Sequence, residues 1–281
     1  MENNLTLIFD SIHEQGLPNH FRTTTGVWAR AAETPPTRLG LDTLMASGSE
    51  QPSLFELAGV IRGAGENVIV VDLRQESHAY LGEHPVSWYG TKNWANKGKS
   101  QAEVEVDERS RIDALSKSRS AVVARVYAKD SEGHLSNVQT EETAYLLAQS
   151  EARATCSLGL GYLRIPVCDH SHPLDADVDR FIFFIRGLAP GTWLHFHCHA
   201  GDGRTTTFML LYDMLRNAGV LGLEELAARQ YLLGGVDVLH TPHTGWKEEL
   251  YNERAAFIGR FFEYAQTRDF KTVSWLEHLA G

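Results

Sequence analysis

The chain has 281 residues, of which 43% are hydrophobic and 10% aromatic, a composition typical of a globular protein and not of a disordered one. Its 26 Lys and Arg residues face 36 Asp and Glu residues, and the formal charge of -10 excludes a general nucleic-acid binder, which needs a large positive field. No apolar run approaches the roughly 20 residues that span a bilayer, and the acidic start MENNLTLIFDSIHEQ is unlike a signal peptide. We therefore expect no membrane span and no leader, and the cellular location stays open.

The three cysteines, Cys156, Cys168 and Cys198, are too few for a disulfide framework. They suit reducing surroundings or one chemically active thiol. Cysteine usage therefore favours chemistry over cross-linking.

The first half of the chain contains two Val-rich runs of strand length. NVIVVDL at 67–73 and SAVVARVY at 120–127 predict central strands inside a covered sheet. Between them, residues 81–118 are polar and rich in Gly, Lys, Glu and Ser around the aromatic patch SWYGTKNWAN. This stretch predicts loops or a small subdomain.

From residue 141 the pattern predicts alternating helices and strands. Residues 142–156 predict an apolar helix, YLRIPV at 162–167 a strand, and the acidic segment after Pro173 an amphipathic helix. TWLHFHC then predicts a strand and RTTTFMLLYDMLRNAG a helix. Further helices are predicted at 223–233 and 246–267. The fold class is therefore α/β.

The clearest chemical signal is HCHAGDGRT, which places Cys198 at the end of a strand and Arg204 at the start of a helix. We call residues 198–204 the cysteine loop. Gly201 and Gly203 permit backbone angles in which successive amides point inward and bind a phosphate at the helix N-terminus. The same positive end stabilises a thiolate, and Thr205 can hydrogen bond to the sulfur. Arg204 can bind two phosphate oxygens, so the motif predicts a cysteine phosphatase that needs no metal.

The motif CDHSHP, which follows the strand RIPV, contains a candidate proton donor. Asp169 precedes Cys198 by one strand-helix-strand unit, so a parallel sheet brings both residues to one edge. Protonation of a leaving oxygen contributes roughly 10^2 to 10^4-fold to such reactions. The alternative is that Asp169 only initiates a turn before Pro173. The presence of Cys198 favours the catalytic role.

Further blocks extend the pattern beyond the cysteine loop. They are LPNHFRTT at 17–24, DLRQESH at 72–78, VSWYGTKNWAN at 86–96 and CDH at 168–170. With HCHAGDGRTT, they resemble in order the blocks of the protein-tyrosine-phosphatase-like inositol polyphosphatases, or cysteine phytases. The resemblance spans roughly residues 17 to 250. It implies one domain over 1–281, a phosphatase-like core sheet flanked by helices, and a small partial β-barrel subdomain at about 76–125.

The resemblance also implies hydrolysis of phytate through a phosphocysteine intermediate. Cys198 is then the nucleophile, Arg204 binds the scissile phosphate, and Asp169 acts as general acid and then as base. The implied substrate-binding residues are His199, Ala200, Gly201, Asp202, Gly203, Thr205, His170, Arg22, Asn93 and Lys247. No metal or other cofactor is expected, and the expected partner is a small polyanionic substrate.

Asp202 departs from this family pattern, which more often has an apolar or small residue at that position. A carboxylate there opposes anion binding unless it is paired. We expect it either to turn outward to a lysine or to shift which phosphate is preferred. For Arg74 and Glu76, a structural ion pair and a substrate contact both remain open. Lys129 is either a phosphate ligand or a solvated residue at a strand end.

Two rival functions share parts of the pattern. HFHCHAG and CDHSH contain possible metal ligands, which predict a zinc hydrolase but give no role to the loop glycines and Arg204. These ligands are His195, His197, His199, Cys168, His170 and His172. A protein-tyrosine, dual-specificity or phosphoinositide phosphatase shares the loop chemistry and is the main alternative. A pure phosphoinositide-binding module would need neither Cys198 nor Asp169.

Overall fold

The computed structural model describes residues 5–65, 67–267 and 269–281. Within them the chain forms eight α-helices: α1 (Leu54–Ala64), α2 (Gln101–Ser118), α3 (Glu151–Ser157), α4 (Asp175–Arg186), α5 (Gly203–Asn217), α6 (Leu223–Leu232), α7 (Lys247–Gln266) and α8 (Trp275–Ala280). The strands are β1 (Thr6–Phe9), β2 (Arg22–Thr23), β3 (Ala46–Ser49), β4 (Val68–Arg74), β5 (His78–Leu81), β6 (His84–Tyr89), β7 (Ser120–Lys129), β8 (Leu135–Ala144), β9 (Ala148–Gln149), β10 (Gly161–Val167) and β11 (Trp193–His197). They form two sheets, and the predicted α/β class is confirmed.

The first sheet has five strands in the order β10-β4-β11-β3-β2, and all neighbours except β3 and β2 are parallel. The strand β4 lies between β10 and β11 and is almost entirely buried, as the Val-rich run at 67–73 predicts. Because parallel strands end at one edge, the segments that follow β4, β10 and β11 meet there. That edge carries the predicted site.

The main core lies where α4, α5 and α7 cover this sheet. Nearly every residue of α5 is buried, and α4 buries the apolar face predicted for it: Val178, Phe181, Ile182 and Ile185. Full burial of a large apolar side chain contributes roughly 1.5 to 3 kcal/mol to the free energy of unfolding. The helix that begins in the cysteine loop is therefore fixed by the core on all sides.

The second sheet has six strands in the order β8-β7-β1-β6-β5-β9. The second Val-rich run does form a strand, but the prediction that it lies centrally in a covered sheet is wrong. Only Val123 and Ala124 of β7 are fully buried, and its partner β8 is a largely exposed edge strand. We propose that this sheet is the smaller β subdomain of a single 1–281 domain, drawing strands from outside 76–125 as well.

Two local predictions are wrong: loops at 81–118 and a single helix at 142–156, whereas the alternative of a small subdomain at 81–118 stays a prediction. The stretch 81–118 contains an 18-residue helix, α2, which Ser100 and Glu103 begin with a capping box. The stretch 142–156 contains the end of β8, the short strand β9 and most of α3. Ser150 is the N-cap of α3, and its side chain accepts a hydrogen bond from the Arg153 amide. Leu146 in this stretch is 95% exposed, so its apolar residues do not form one buried helical face.

No helix among the described residues has the length and apolar character to cross a membrane. The expectation about a leader concerns in part residues 1–4, which lie outside the described residues.

Candidate active site

The cysteine loop connects β11 to α5 at the carboxyl edge of the parallel sheet. Cys198 is 3% exposed, and the Thr205 hydroxyl donates to its sulfur at 3.1 Å. Gly201 has φ +77, and a Cβ atom there would lie 2.4 Å from the backbone nitrogen of Glu50. A Cβ atom at Gly203 would lie 2.6 Å from a guanidinium nitrogen of Arg254. Gly201 is therefore required both by its backbone angle and by the neighbouring backbone, whereas a side chain at Gly203 would displace the Arg254 guanidinium.

Arg204 is fixed at the start of α5 by Glu76. Its two terminal nitrogens donate to the Glu76 carboxylate at 2.7 and 2.9 Å, and one of them lies 3.1 Å from Asp169 Oδ1. Burial lowers the pKa of Arg204, but the negative charges of Asp169 and Glu76 raise this pKa well above its ordinary value. Its Nε is buried without a hydrogen-bond partner among the described residues. A buried N-H without a partner beside an anion-binding loop is suited to donate a hydrogen bond to an oxygen of a bound ligand.

Arg74 and Glu76 form a fully buried ion pair at 2.9 Å. Arg74 also pairs with Asp10 at 2.8 Å and donates to Gln51. Burial raises the pKa of Glu76, but Arg204 and Arg74 lower it to about 2. The structural alternative for this pair is therefore correct, and Glu76 serves to orient Arg204.

We expect Glu76→Gln to lower the free energy of unfolding by about 3 kcal/mol at pH 7, because two buried guanidinium groups lose a shared anion. Urea denaturation measures this change. Because the pKa of Glu76 is lowered, its contribution is present above about pH 4.3 and is lost as pH falls toward 2. The control is Glu141→Gln, which removes an exposed pair with Arg125 and should cost less than about 1 kcal/mol. A similar cost for both variants would contradict the orienting role of Glu76.

Asp169 lies beside the cysteine loop, as predicted. Its carboxylate accepts from Asn93 Nδ2 at 3.2 Å and from the His170 amide at 3.0 Å, and the Trp94 indole donates to its backbone oxygen. Burial raises the pKa of Asp169, but Arg204, His170 and His199 together with the Asn93 hydrogen bond hold this pKa below its usual range. In the free protein Asp169 is therefore an ionised partner of Arg204. It can donate a proton only after a bound anion changes its surroundings.

The wall beside Asp169 is formed by His170 and by two aromatic residues that the sequence did not indicate. His170 Nδ1 lies 2.9 Å from the Tyr251 hydroxyl, and the His170 ring meets Trp246 edge-on at 4.9 Å. Tyr251 and Arg254 follow Lys247 by four and seven residues on α7. Because this spacing lies on one helix face, it was a signal that could have identified both residues.

The cavity over the cysteine loop has a volume of about 360 Å³ and is lined by four cationic side chains besides Arg204. They are Lys92, Lys129, Lys247 and Arg254. Arg254 is 3% exposed and its Nε has no partner, and no carboxylate pairs with this guanidinium among the described residues. Lys92 lies over the Trp246 ring at 4.5 Å. The predicted Lys247 and the alternative ligand Lys129 thus face one cavity, with two cations that the prediction missed.

The tip of the β7-β8 hairpin, residues 130–133, forms the rim of this cavity. The Trp246 indole donates to Ser131 O at 2.9 Å, and the Tyr89 hydroxyl donates to Gly133 O at 2.7 Å. These two bonds fix the hairpin tip to α7 and β6.

The other predicted binding residues divide between the cavity and its surroundings. The cavity is lined by Asn93, His170, His199, Ala200, Asp202 and Gly203. Arg22 is not among its lining residues: its guanidinium donates to His20 O and to Thr206 Oγ1, both at 3.0 Å. The Asp202 carboxylate lies 2.7 Å from the His20 ring.

The histidines and cysteine of the zinc alternative do not assemble into one set. His195 bonds to Ser47 and Ser49, and His197 faces Glu151 at 3.0 Å. Among the described residues, His197 is grouped with Asp72 and Glu151 in one possible ligand triad, and His13, Glu50 and Glu56 form another. Neither group contains Cys168, His170, His172 or His199. The predicted ligand set is therefore not brought together.

A parallel sheet that ends in a glycine-containing cysteine loop, with an arginine buried at the start of the next helix, defines the class of protein-tyrosine-phosphatase-like proteins. A family model for PTP-like phytases, described by the words inositol hexakisphosphate, matches residues 71–216. The chain belongs to the PTP-like phytase family.

Solved structures and curated proteins resemble the chain over most of its length. A PTP-like phytase from Bdellovibrio bacteriovorus has a TM-score of 0.76 and 33% identity, covering 99% of this chain and 95% of that one. A Mitsuokella multacida PTP-like myo-inositol phosphatase, solved with myo-inositol-(1,3,4,5)-tetrakisphosphate, has a TM-score of 0.88 and 35% identity, covering 99% and 49%. Effector protein hopD2 of Pseudomonas syringae pv. tomato is 33% identical over 239 residues, covering 81% and 49%. The chain thus spans about half the length of the latter two proteins.

Proposed function

We propose that this chain hydrolyses phosphate monoesters of inositol polyphosphates, phytate included, through a phosphocysteine on Cys198. The observation that carries the proposal is the cavity that combines the cysteine loop with Lys92, Lys129, Lys247 and Arg254. These cations lie in a chain of net charge -10, and together with Arg204 they outnumber the carboxylates on the same lining, which are Asp130, Asp169 and Asp202. A substrate with several phosphates can use separate cations while one phosphate occupies the loop.

The proposed reaction uses Cys198, Asp169 and Arg204. The Cys198 thiolate attacks phosphorus and forms the S-P bond, while the P-O bond to the inositol oxygen breaks and Asp169 donates a proton to that oxygen. Asp169 then takes a proton from the water that attacks phosphorus, which releases phosphate and restores the thiolate. Loop amides and Arg204 stabilise the charge on the equatorial phosphate oxygens in both steps.

Phosphate release from phytate and from a phosphotyrosine peptide tests this function. We expect phytate to be preferred in kcat/KM, and we expect Arg254→Ala to raise KM for phytate by about tenfold with a much smaller change for the peptide. The reason is that only phytate offers additional phosphates to this buried cation. The matched control is Arg216→Ala, which removes a cation that stacks on Tyr212, away from the cavity lining.

The same assay distinguishes the rival functions. Activity on phytate should survive EDTA and be blocked by vanadate, because loop amides and Arg204 supply the positive charge. EDTA-sensitive turnover that zinc restores would contradict the proposal. Preference for the peptide would favour the protein phosphatase alternative.

A further inference from the structure

Asp202 immediately precedes α5 and is therefore its N-cap residue. Aspartate is among the preferred N-cap residues because its carboxylate accepts hydrogen bonds from the second or third amide of the helix. In α5, however, the Asp202 side chain makes no such bond. Amides at this helix end are the groups that bind an anion, so a capping carboxylate would compete with phosphate for them.

The Asp202 carboxylate is instead bound by a residue 182 positions away in the chain. His20 Nδ1 lies 2.7 Å from Asp202 Oδ1, with the two side chains 49% and 41% exposed. Among the described residues, His20 is the ion-pairing partner that Asp202 has within 4.0 Å. The nearby Arg22 and Arg254 make their contacts elsewhere, with Thr206 and Tyr251.

The backbone around His20 is fixed in an uncommon conformation. His20 has φ +56, a value that few residues other than glycine adopt. Arg22 donates to the His20 carbonyl at 3.0 Å. On the preceding side, the Glu50 amide donates to the Asn19 carbonyl, and the Asn19 amide donates to the Glu50 carboxylate. The predicted binding residue Arg22 therefore supports the position of His20.

We propose that His20 is a positioning residue that keeps the Asp202 carboxylate away from the amides of α5, so that the cysteine loop can bind phosphate. This inference rests on the proposed function, since it concerns the same loop. Without His20, the Asp202 carboxylate is unpaired beside these amides, where its negative charge opposes the binding of phosphate. The position of the Asp202 side chain then depends on the segment around His20, which contributes no group to the reaction.

The test is the affinity of the chain for inorganic phosphate, measured by calorimetry without turnover. The variant is His20→Gly, because glycine tolerates the positive φ at this position. We expect phosphate to bind about tenfold more weakly to His20→Gly than to the wild type. The second substitution Asp202→Ala, added to His20→Gly, should restore the affinity to within threefold of the wild type. In turnover assays, KM for phytate should rise in His20→Gly while kcat changes less than twofold.

The matched control is His240→Ala, which removes another exposed histidine that pairs with carboxylates, and it should bind phosphate as the wild type does. If His20→Gly does not fold, as judged by thermal melting, His20→Asn replaces it because asparagine also tolerates positive φ. Unchanged phosphate affinity in the His20 variant, or failure of Asp202→Ala to restore it, would overturn the inference. A wild type that binds phosphate but releases none from phytate would instead contradict the proposed function alone.

Discussion

Cys198→Ser is expected to abolish phosphate release from phytate while phytate binding stays close to that of the wild type. The serine hydroxyl is a much weaker nucleophile than a thiolate, and loss of a catalytic nucleophile costs on the order of 10^6 in kcat in a well-studied hydrolase. The loop amides remain in the variant, as does Arg204, which Glu76 orients independently of the sulfur. Binding and turnover should therefore separate.

Calorimetry with phytate and a phosphate-release assay measure the two quantities for the same preparation. The control is Cys156→Ser, which changes an exposed cysteine on α3 and should leave both unaffected. Turnover of Cys198→Ser near the wild-type rate would remove Cys198 from the role of nucleophile. Loss of binding together with turnover would show that the substitution disturbs the loop.

Asp169→Asn is expected to lower kcat on phytate by roughly 10^2 to 10^4-fold. The loss should be much smaller on an activated aryl phosphate, whose leaving group departs without a proton. Asparagine keeps the size of the side chain, so the contrast between the two substrates isolates proton donation from positioning. Equal losses on both substrates would assign Asp169 a positioning role.

The pH dependence of the wild type gives a second measure of Asp169. In the free protein Arg204 lowers the pKa of Asp169 against the effect of burial, whereas a bound phosphate shares Arg204 and adds like charge, which raises that pKa. Since kcat/KM reports on the free enzyme and kcat on the complex, the alkaline limb of kcat should lie at higher pH than that of kcat/KM. The sequence alone suggests an optimum of roughly 4.5 to 6, from an ordinary Asp pKa of about 3.9 raised by substrate phosphates. Asp169→Asn should remove the alkaline limb from both profiles.

The parts of the fold that the sequence predicted are those with a local signal. The strand β4 is a continuous apolar run, α4 shows the spacing of an amphipathic helix, and both lie in the covered half of the protein. The helix α2 was missed because charged and polar residues fill most of its length, so its apolar stripe is narrow and it buries only Val104 and Glu108. The strand β7 was placed too centrally because Val-rich composition does not report which face is covered.

In the candidate site, too, the residues with a local sequence signal were predicted and those brought in from distant segments were not. The spacing of Cys198 and Arg204 is local, and the order of β10, α4 and β11 was sufficient to place Asp169 at the same edge. The partners of Arg204 could not be predicted, because Glu76 reaches it from 128 positions away. Arg254 was missed because the helical spacing from Lys247 acquires a meaning only when α7 is known to face the cavity.

The hairpin tip at residues 130–133 separates two properties that evolution can alter independently. In the proposed reaction, bond cleavage depends on segments anchored in the core, whereas the height of the cavity rim depends on two largely exposed strands. Contacts from Trp246, Tyr89 and Lys92 join the tip of these strands to the rest of the cavity wall. Insertions or deletions in β7 and β8 would change the size of molecule admitted without moving Cys198 or Arg204. Substrate range can therefore diverge among relatives whose reaction chemistry stays the same.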